Sequence, residues 1–361
     1  MKVAIISIVN IKHMTLISLF TDILEKKGIK YDLIYIDKYH INEKNNADNT
    51  FKYEIDISKS DSKIKKIVKY FGFRGFVKKV IKNQNYDLVI IWKSETGYLL
   101  FNFLKRYFKY KYIYNIRDYA SENNPIIKII QRKLVRNSRM TTISSKRFLN
   151  FLPKGEYKFV NSINPKFMAS LEVKNSIKKN GPINICFIGY VRFLDNDKKL
   201  LMALKNDKRF VVQYFGAGAA LLEKFSYNNN ISNVSFIDSF DSTETVNLLQ
   251  GADIINNLYG NHNTALDTAV SIKYYYSLLL KIPIMVWENT YMEEITQNIG
   301  NSFVFNGDYE NLGDRLYSWY EKIDWNLFNN KLNQAVLTIN HENIEFKKSI
   351  NEILDGSKVE L

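Results

Sequence analysis

The chain has 361 residues, of which 46% are hydrophobic and 14% aromatic, so it is longer than one typical domain and can fill two cores. Five prolines argue against long disordered segments, and a single cysteine, Cys186, excludes an internal disulfide. No stretch approaches the roughly 20 apolar residues that span a bilayer. The apolar run after Met1 is too short for a signal peptide, so we expect a cytoplasmic protein, unless it rests on the membrane surface.

The net charge of +14 is distributed unevenly. Residues 1–165 contain 32 Lys and Arg against 14 Asp and Glu, a net charge of +18, whereas the remainder carries −4. A basic first half is attracted to an anionic membrane surface or to a phosphate-bearing substrate. A Lys-rich chain whose lysines only solvate its surface would show the same bias, and both explanations stay open. No nucleic-acid-binding motif is present, so nucleic acid is not an expected partner.

The first half of the chain alternates short apolar runs with helical patterns. Continuous apolar runs are typical of parallel strands that are buried on both faces. Gly28 is placed to end the first helix, and the first loop lacks GxGxxG, which argues against an NAD-dependent enzyme. We expect strands at 3–8, 31–36, 87–92, 112–115, 140–143 and 158–160, helices at about 15–27, 62–82, 98–106 and 125–137, and irregular structure at 38–61.

Residues 62–82 have a basic amphipathic pattern. Apolar residues recur at helical spacing from Ile64 through Ile67, Val68 and Phe71 and again at 77, 80 and 81, while six lysines lie mostly off that stripe. We expect Gly72 and Gly75 to break or kink the helix. The pattern fits a helix that lies on an anionic membrane, and it fits equally well a surface helix packed on the sheet.

The second half repeats the alternation of strands and helices. We expect strands at 183–188, 210–214, 233–237, 254–256, 303–305 and from 284, and helices at 242–249, 308–323 and 326–354. In residues 252–285 a strand runs into a polar loop at 257–267, then a helix with Lys273, then a strand at Ile284. Parallel strands need such crossovers, and ligands sit at their carboxyl ends, where helix amides bind anions.

This unit resembles the donor-sugar segment of GT-B glycosyltransferases, especially the family 4 type that builds bacterial surface polysaccharides. In that family the helix reads roughly K-x-x-E-x-x-x-x-G-x-P-v-i, and here Lys273, Pro283 and residues 284–286 match. Two features depart from the pattern. The family's paired glutamates would fall on Thr268 and Tyr276, and its glycine would fall on Lys281.

Two further segments resemble the same family. The strand at 183–188 is followed by a segment similar to the family's f-x-G-x-x-x-x-x-K, in which a basic pair clamps the donor diphosphate. Gly189 and Arg192 match it, and either Lys198 or Lys199 supplies the second cation. Farther on, Gly216 and Gly218 parallel the family's G-x-G, and residues 161–165 resemble the end of its first domain.

The resemblance implies an α/β fold of the GT-B class, with two Rossmann-like, doubly wound parallel-sheet domains facing a central cleft. It implies an acceptor-binding domain at 1–165, a linker at 166–181, a donor domain at 182–325, and C-terminal helices at 326–361 that cross back to the first domain. Implied catalytic residues are Asp118, Arg192 and Lys273. Implied donor-binding residues are Gly189, Arg192, Lys198, Lys199, Gly216, Gly218, Asp267, Thr268, Lys273 and Tyr276, and implied acceptor-binding residues are His13, Lys93, Glu95, Arg117 and Asp118.

Asp118 follows a strand at a ligand-binding end, where it can accept a proton from an attacking hydroxyl or hold an acceptor hydroxyl, but a local pair with Arg117 explains it as well. The four histidines, at positions 13, 40, 262 and 341, are isolated, so we expect no metal and no cofactor. The leading hypothesis is therefore sugar transfer from a nucleotide-diphosphate sugar to a glycan or polyprenyl-diphosphate-linked acceptor, by a retaining hexosyltransferase at an anionic membrane. Two alternatives stay open: a nucleotide-sugar 2-epimerase of the same fold, and a non-catalytic basic protein that binds membrane or nucleic acid.

Overall fold

The computed structural model describes residues 1–14, 16–57, 61–163 and 180–356. It divides into two compact units, Met1–Ser162 with His341–Leu361, and Ile163–Asn340. The expected helix start at Thr15 and residues 166–179 of the linker expected at 166–181 lie outside the described residues, as do the side chains of Lys63, Lys66 and Ile67.

The first unit is built on a seven-stranded parallel sheet. Its strands are β1 (Val3–Ser7), β2 (Tyr31–Asp37), β3 (Asn49–Glu54), β4 (Leu88–Trp92), β5 (Tyr112–Ile116), β6 (Met140–Ile143) and β7 (Lys158–Phe159). They lie in the order β3-β2-β1-β4-β5-β6-β7. β1, β2, β4 and β5 are buried along their whole length, which is why the sequence shows unbroken apolar runs there. The crossover helices are α1 (Ser18–Lys26), α2 (Lys63–Gln84), α3 (Ser94–Tyr107) and α4 (Pro125–Asn137).

Two parts of this unit differ from the sequence expectation. Residues 38–61, expected to be irregular, contain β3, which pairs in parallel with β2 at the sheet edge. An edge strand is only partly buried, so polar residues such as Asn49 and Lys52 are tolerated and the apolar signal is weak. The loop expected at 93–97 is instead the first turn of α3, which begins at Ser94.

The expected break in the basic stretch is absent, because α2 runs continuously through Gly72 and Gly75. A Cβ at position 72 would overlap the Tyr53 hydroxyl, whereas one at position 75 would meet nothing. Gly72 therefore allows Tyr53 to pack against the helix rather than breaking it. The predicted stripe is also divided along the helix: its C-terminal part is buried in the core with Phe73 and Val77, and its N-terminal part is exposed.

The second unit contains a six-stranded parallel sheet in the order β10-β9-β8-β11-β12-β13. Its strands are β8 (Ile183–Ile188), β9 (Phe210–Phe215), β10 (Val234–Ile237), β11 (Ile254–Asn256), β12 (Ile284–Trp287) and β13 (Ser302–Phe305). Its helices are α5 (Leu194–Ala203), α6 (Ala219–Asn228), α7 (Thr245–Gln250), α8 (Thr264–Thr268), α9 (Ile272–Leu280), α10 (Tyr291–Gln297) and α11 (Leu312–Glu321). The final helix, α12 (Trp325–Leu354), packs Phe328 and Leu332 into the core of this unit and Phe346 and Ile350 into the core of the first.

The segment between β11 and β12 is more divided than expected. The loop expected at 257–267 contains a short helix, α8, and residues 269–271 separate it from α9, the helix that carries Lys273 as expected. The side chain of Asn263 accepts a hydrogen bond from the first turn of α8, and the side chain of Ser271 does the same for α9. These caps explain why the two helices start where they do, since Ser and Asn oxygens satisfy amides at helix starts. The short helix α10 was not expected from the sequence.

Candidate functional site

Both sheets reverse their strand order beside their first strand. The reversal lies between β1 and β4 in the first unit and between β8 and β11 in the second. In open parallel sheets the loops at the carboxyl ends of two such strands diverge and leave room for a ligand. In the second unit those loops carry Arg192 and Tyr259, and in the first unit they carry His13 and Lys93. The candidate sites are therefore built around these loops, one in each unit.

Three of the predicted glycines shape the loop after β8. Gly189, Gly216 and Gly218 have φ angles of +116°, +134° and +96°, which side chains rarely adopt. A Cβ on Gly216 would overlap the Gly189 carbonyl oxygen, and one on Gly218 would come within 2.9 Å of the Val191 carbonyl oxygen. The backbones of the loops after β8 and β9 therefore touch, which positions the loop that carries Arg192.

The amides at the start of α6 are already engaged. The Asp238 carboxylate accepts the backbone N–H groups of Gly218, at 3.0 Å, and of Ala220, at 2.9 Å. The G-x-G resemblance thus corresponds to a backbone packing role in this structure. Contact of Gly216 and Gly218 with a donor substrate stays a prediction.

The three predicted cations of this segment differ in placement. Arg192 is exposed, and its guanidinium lies 6.0 Å from the centroid of the Tyr259 ring, beside the loop after β11. Lys198 packs against α6, with its Nζ 5.6 Å from the Phe225 ring, and Lys199 faces solvent. Of the three, Arg192 is the cation that the structure brings beside the β11 loop.

Lys273 lies in the core of the second unit and is fully buried. Its Nζ donates a hydrogen bond of 2.8 Å to the Tyr259 hydroxyl and stands 3.5 Å from the centroid of the Phe187 ring. Burial among aromatic rings lowers the pKa of Lys273 well below its ordinary value, although the nearby Asp197 carboxyl opposes that shift. Lys273 therefore contacts the loop after β11 through its hydrogen bond to Tyr259.

A buried carboxyl, Asp197, lies near Lys273. It is buried on α5 and accepts a hydrogen bond of 3.0 Å from the Tyr214 hydroxyl. Burial raises the pKa of Asp197 to about 6, against the hydrogen bond from Tyr214 and the charge of Lys273. The sequence interpretation missed both Asp197 and Tyr259. Each lies in a segment that it had singled out, but nothing in the local pattern pairs them with Lys273.

The remaining predicted donor residues lie on α8 and α9. Asp267 is partly buried, and burial raises the pKa of its carboxyl. The Thr268 hydroxyl donates a hydrogen bond of 2.6 Å to the Thr264 carbonyl within α8. Tyr276 is partly buried, and burial raises its pKa to about 12, so its phenol is neutral at neutral pH. The two positions where the family has glutamates thus hold neutral side chains.

In the first unit, the predicted acceptor residues surround the ends of β4 and β5. Lys93 has a φ of +75°, an uncommon conformation for a side chain of its size, and its Nζ pairs with the Asp118 carboxylate at 3.2 Å. Arg117 donates to the Ser162 hydroxyl at 2.7 Å. The local pair weighed from the sequence therefore joins Asp118 to Lys93 rather than to Arg117. Glu95 lies in the first turn of α3 and is partly buried.

His13 lies at the end of the short 3₁₀ helix Ile11–His13 that follows β1. A hydrogen bond of 2.9 Å joins its Nε2 to the Tyr39 hydroxyl. Burial and the charges of Lys12, Lys38 and Lys93 lower the pKa of His13, and Glu43 opposes them. The imidazole is therefore mostly neutral at neutral pH.

A buried carboxyl, Glu122, was also missed. It is fully buried in the loop after β5 and accepts hydrogen bonds from the Tyr98 hydroxyl, at 2.8 Å, and from the Ala120 amide. Burial raises its pKa. These hydrogen bonds fix the position of the loop that carries Asp118. Glu122 lies in a polar run of the sequence, so hydrophobic periodicity does not predict its burial.

In the part of the chain that the structure describes, no helix is both long enough and apolar enough to cross a membrane. No three His, Cys, Asp or Glu side chains within that part are grouped so that they would hold a metal ion.

No family model and no curated protein matches the sequence. Among solved structures, sucrose-phosphate synthase from Thermosynechococcus elongatus is 9% identical, with 99% of this chain and 100% of that chain covered and a TM-score of 0.74. HepE from Anabaena in complex with UDP-glucose is 10% identical, with 99% and 100% covered and a TM-score of 0.65. WaaG, a glycosyltransferase involved in lipopolysaccharide biosynthesis, is 11% identical, with 97% and 99% covered and a TM-score of 0.63.

The chain has the GT-B fold. This confirms the expected α/β class with two Rossmann-like parallel-sheet domains. At 9 to 11% identity the likeness concerns the fold, because unrelated activities share folds. The functional proposal therefore rests on the residues of the loops after β8 and β11 in the second unit and after β1, β4 and β5 in the first.

Proposed function

We propose that this chain is a glycosyltransferase that transfers a sugar from a nucleotide-diphosphate sugar to a hydroxyl acceptor. The observation that carries the proposal is the reversal point of the second sheet, where Arg192 and Tyr259 lie on the two loops that leave β8 and β11. Similar folds are described in complex with UDP and with UDP-glucose. A guanidinium suits a diphosphate, because its planar donors form paired hydrogen bonds to phosphate oxygens.

The chemistry requires stabilisation of the leaving nucleoside diphosphate. As the bond between the sugar and the diphosphate breaks, negative charge grows on the diphosphate oxygen that leaves. A fixed cation stabilises that charge. Arg192 supplies an exposed cation beside the loop after β11. Lys273 is buried behind that loop and is hydrogen-bonded to Tyr259. The acceptor hydroxyl loses its proton in the same reaction, and we assign its binding to His13, Lys93, Glu95, Arg117 and Asp118.

The experiment is calorimetric titration of the purified chain with UDP, GDP, ADP and CDP, followed by a donor-hydrolysis or transfer assay with the matching sugars. We expect one nucleoside diphosphate to bind and its sugar to be consumed. Arg192→Ala should weaken that binding by about 10- to 100-fold, the value of a charge-assisted hydrogen bond. Lys224→Ala on α6, a loss of an exposed cation elsewhere in the unit, is the matched control. A folded protein that binds none of the four would refute the proposal.

We extend the proposal to a hexose donor, retention of the anomeric configuration and a lipid-linked glycan acceptor of surface polysaccharide synthesis. The family 4 resemblance around Lys273 supports these finer assignments. Proton NMR of the product made from an α-linked nucleotide hexose would show an α-linkage if configuration is retained. A β-linked product would refute retention and leave the transferase assignment intact.

We further propose that the exposed face of α2 rests on an anionic membrane. Ile64, Val68 and Phe71 lie on one face and are 75%, 64% and 55% exposed, and the exposed Lys78 and Lys82 continue that face. Apolar side chains beside lysines are what an interfacial helix requires. Vesicles of phosphatidylglycerol should sediment the wild type, and Val68→Asp with Phe71→Asp should abolish this. Leu221→Asp in α6 is the control, and equal sedimentation of all three proteins would contradict the proposal.

A further inference from the structure

The buried position of Lys273 raises the question of what touches the donor at the loop after β11. The Lys273 side chain is fully buried, with its ammonium 3.5 Å and 4.2 Å from the ring centroids of Phe187 and Tyr259. Its hydrogen bond goes to the Tyr259 hydroxyl. The Lys273 nitrogen, enclosed by two aromatic rings, is linked to the loop after β11 through the group to which it is hydrogen-bonded. That group is a phenol on a ligand-binding loop.

The hydrogen bond leaves the Tyr259 hydroxyl with a defined role. Because its oxygen accepts a hydrogen bond from Lys273 Nζ, its own O–H remains to donate. Burial raises the pKa of Tyr259 to about 12, so the phenol keeps this proton at neutral pH. A hydroxyl whose oxygen accepts a hydrogen bond is a stronger donor, because chains of hydrogen bonds strengthen one another in a buried setting. Tyr259 is thus prepared to donate to an anion.

The loop that carries Tyr259 is held against the loop and helix that follow β8. Asn196 on α5 donates from its side-chain amide to the Tyr259 carbonyl at 3.1 Å. Gly260, with a φ of +117°, lies so near that a Cβ would come within 3.2 Å of the Asn196 amide nitrogen. The Phe193 ring lies 5.5 Å from the Tyr259 ring, and the Arg192 guanidinium stands 6.0 Å from it. Tyr259 and Arg192 therefore occupy the same carboxyl end of the sheet.

We propose that Tyr259 binds the diphosphate of the donor by donating its hydroxyl proton to a phosphate oxygen, and that Lys273 is a positioning residue that holds and polarises this hydroxyl. The inference rests on the proposed function, since it requires a diphosphate ligand at this end of the sheet. It assigns the contact to a residue for which the family resemblance offered no role. It also replaces the direct donor contact that the family resemblance implied for Lys273.

The test compares nucleotide binding by the wild type, Tyr259→Phe, Lys273→Met and the double variant. The probe is whichever of UDP, GDP, ADP and CDP binds the wild type most tightly, with its nucleoside as a ligand that lacks phosphate. Tyr259→Phe should weaken binding of the diphosphate by about 10-fold or more, as for a lost hydrogen bond to a charged group, and leave nucleoside binding unchanged. Tyr227→Phe, which removes an 84% exposed hydroxyl on α6, is the control.

The double variant distinguishes positioning from direct contact. If Lys273 acts through Tyr259, then Lys273→Met should weaken diphosphate binding in the wild type and add little in Tyr259→Phe. Additive losses would show that Lys273 touches the phosphate itself and would overturn the positioning role. Unchanged diphosphate binding by Tyr259→Phe, in a wild type that binds and turns over donor, would overturn the inference alone. A folded wild type that binds no nucleoside diphosphate would overturn both this inference and the proposed function.

Discussion

Replacing Gly216 by alanine tests whether backbone contact between the loops after β8 and β9 positions the candidate site. The native φ of +134° costs a side chain on the order of 1–3 kcal/mol. The new Cβ would also overlap the backbone carbonyl of Gly189, which has no flexible end that can move aside. Together these effects should lower the free energy of unfolding of the second unit by about 3 kcal/mol or more.

The assay is thermal unfolding monitored by scanning calorimetry. For a unit of this size each kcal/mol shifts the melting temperature by about 2–4 °C, so Gly216→Ala should melt about 6–12 °C below the wild type. Gly251→Ala is the matched control, because its φ is −78° and a Cβ there would meet nothing. The control should stay within about 0.5 kcal/mol of the wild type or gain slightly. If Gly216→Ala melts together with the control, the contact between these two loops is not rigid.

Three further predictions follow from individual contacts. Gly72→Ala should destabilise the first unit because its Cβ overlaps Tyr53, whereas Gly75→Ala should stabilise it by about 1 kcal/mol through helix propensity; equal melting temperatures would contradict this. Burial raises the folded pKa of Asp197 to about 6, above its unfolded value, so the wild type should gain stability relative to Asp197→Asn as pH falls from 7 towards 4; pH-independent differences in melting temperature would refute the assignment. Asp118→Asn should lower sugar transfer to an acceptor at least about 10-fold and leave nucleotide binding unchanged, and a loss of nucleotide binding would place Asp118 elsewhere.

The strands of both sheets were predictable because of how they are buried. β8 and β11 match their expected bounds, since strands covered on both faces are mostly apolar and stand out from the polar loops around them. The same reason explains the failure at β3, whose edge position relaxes that demand. The helix break expected at Gly72 was wrong because a glycine permits close packing as readily as it ends a helix.

By itself, the sequence determined that the chain forms parallel sheets with crossover helices, and it indicated which loops follow the strands. Hydrophobic periodicity and glycine placement reflect the conformation of neighbouring residues, so strands, helices and the loops between them can be predicted from the sequence. Only the tertiary structure decided that Lys273 is buried behind Tyr259, that Asp197 lies near both, and that the N-terminal half of α2 exposes its apolar face. Those facts depend on which segments pack together, and the partners of a buried charge are separated along the chain by distances that no local pattern records.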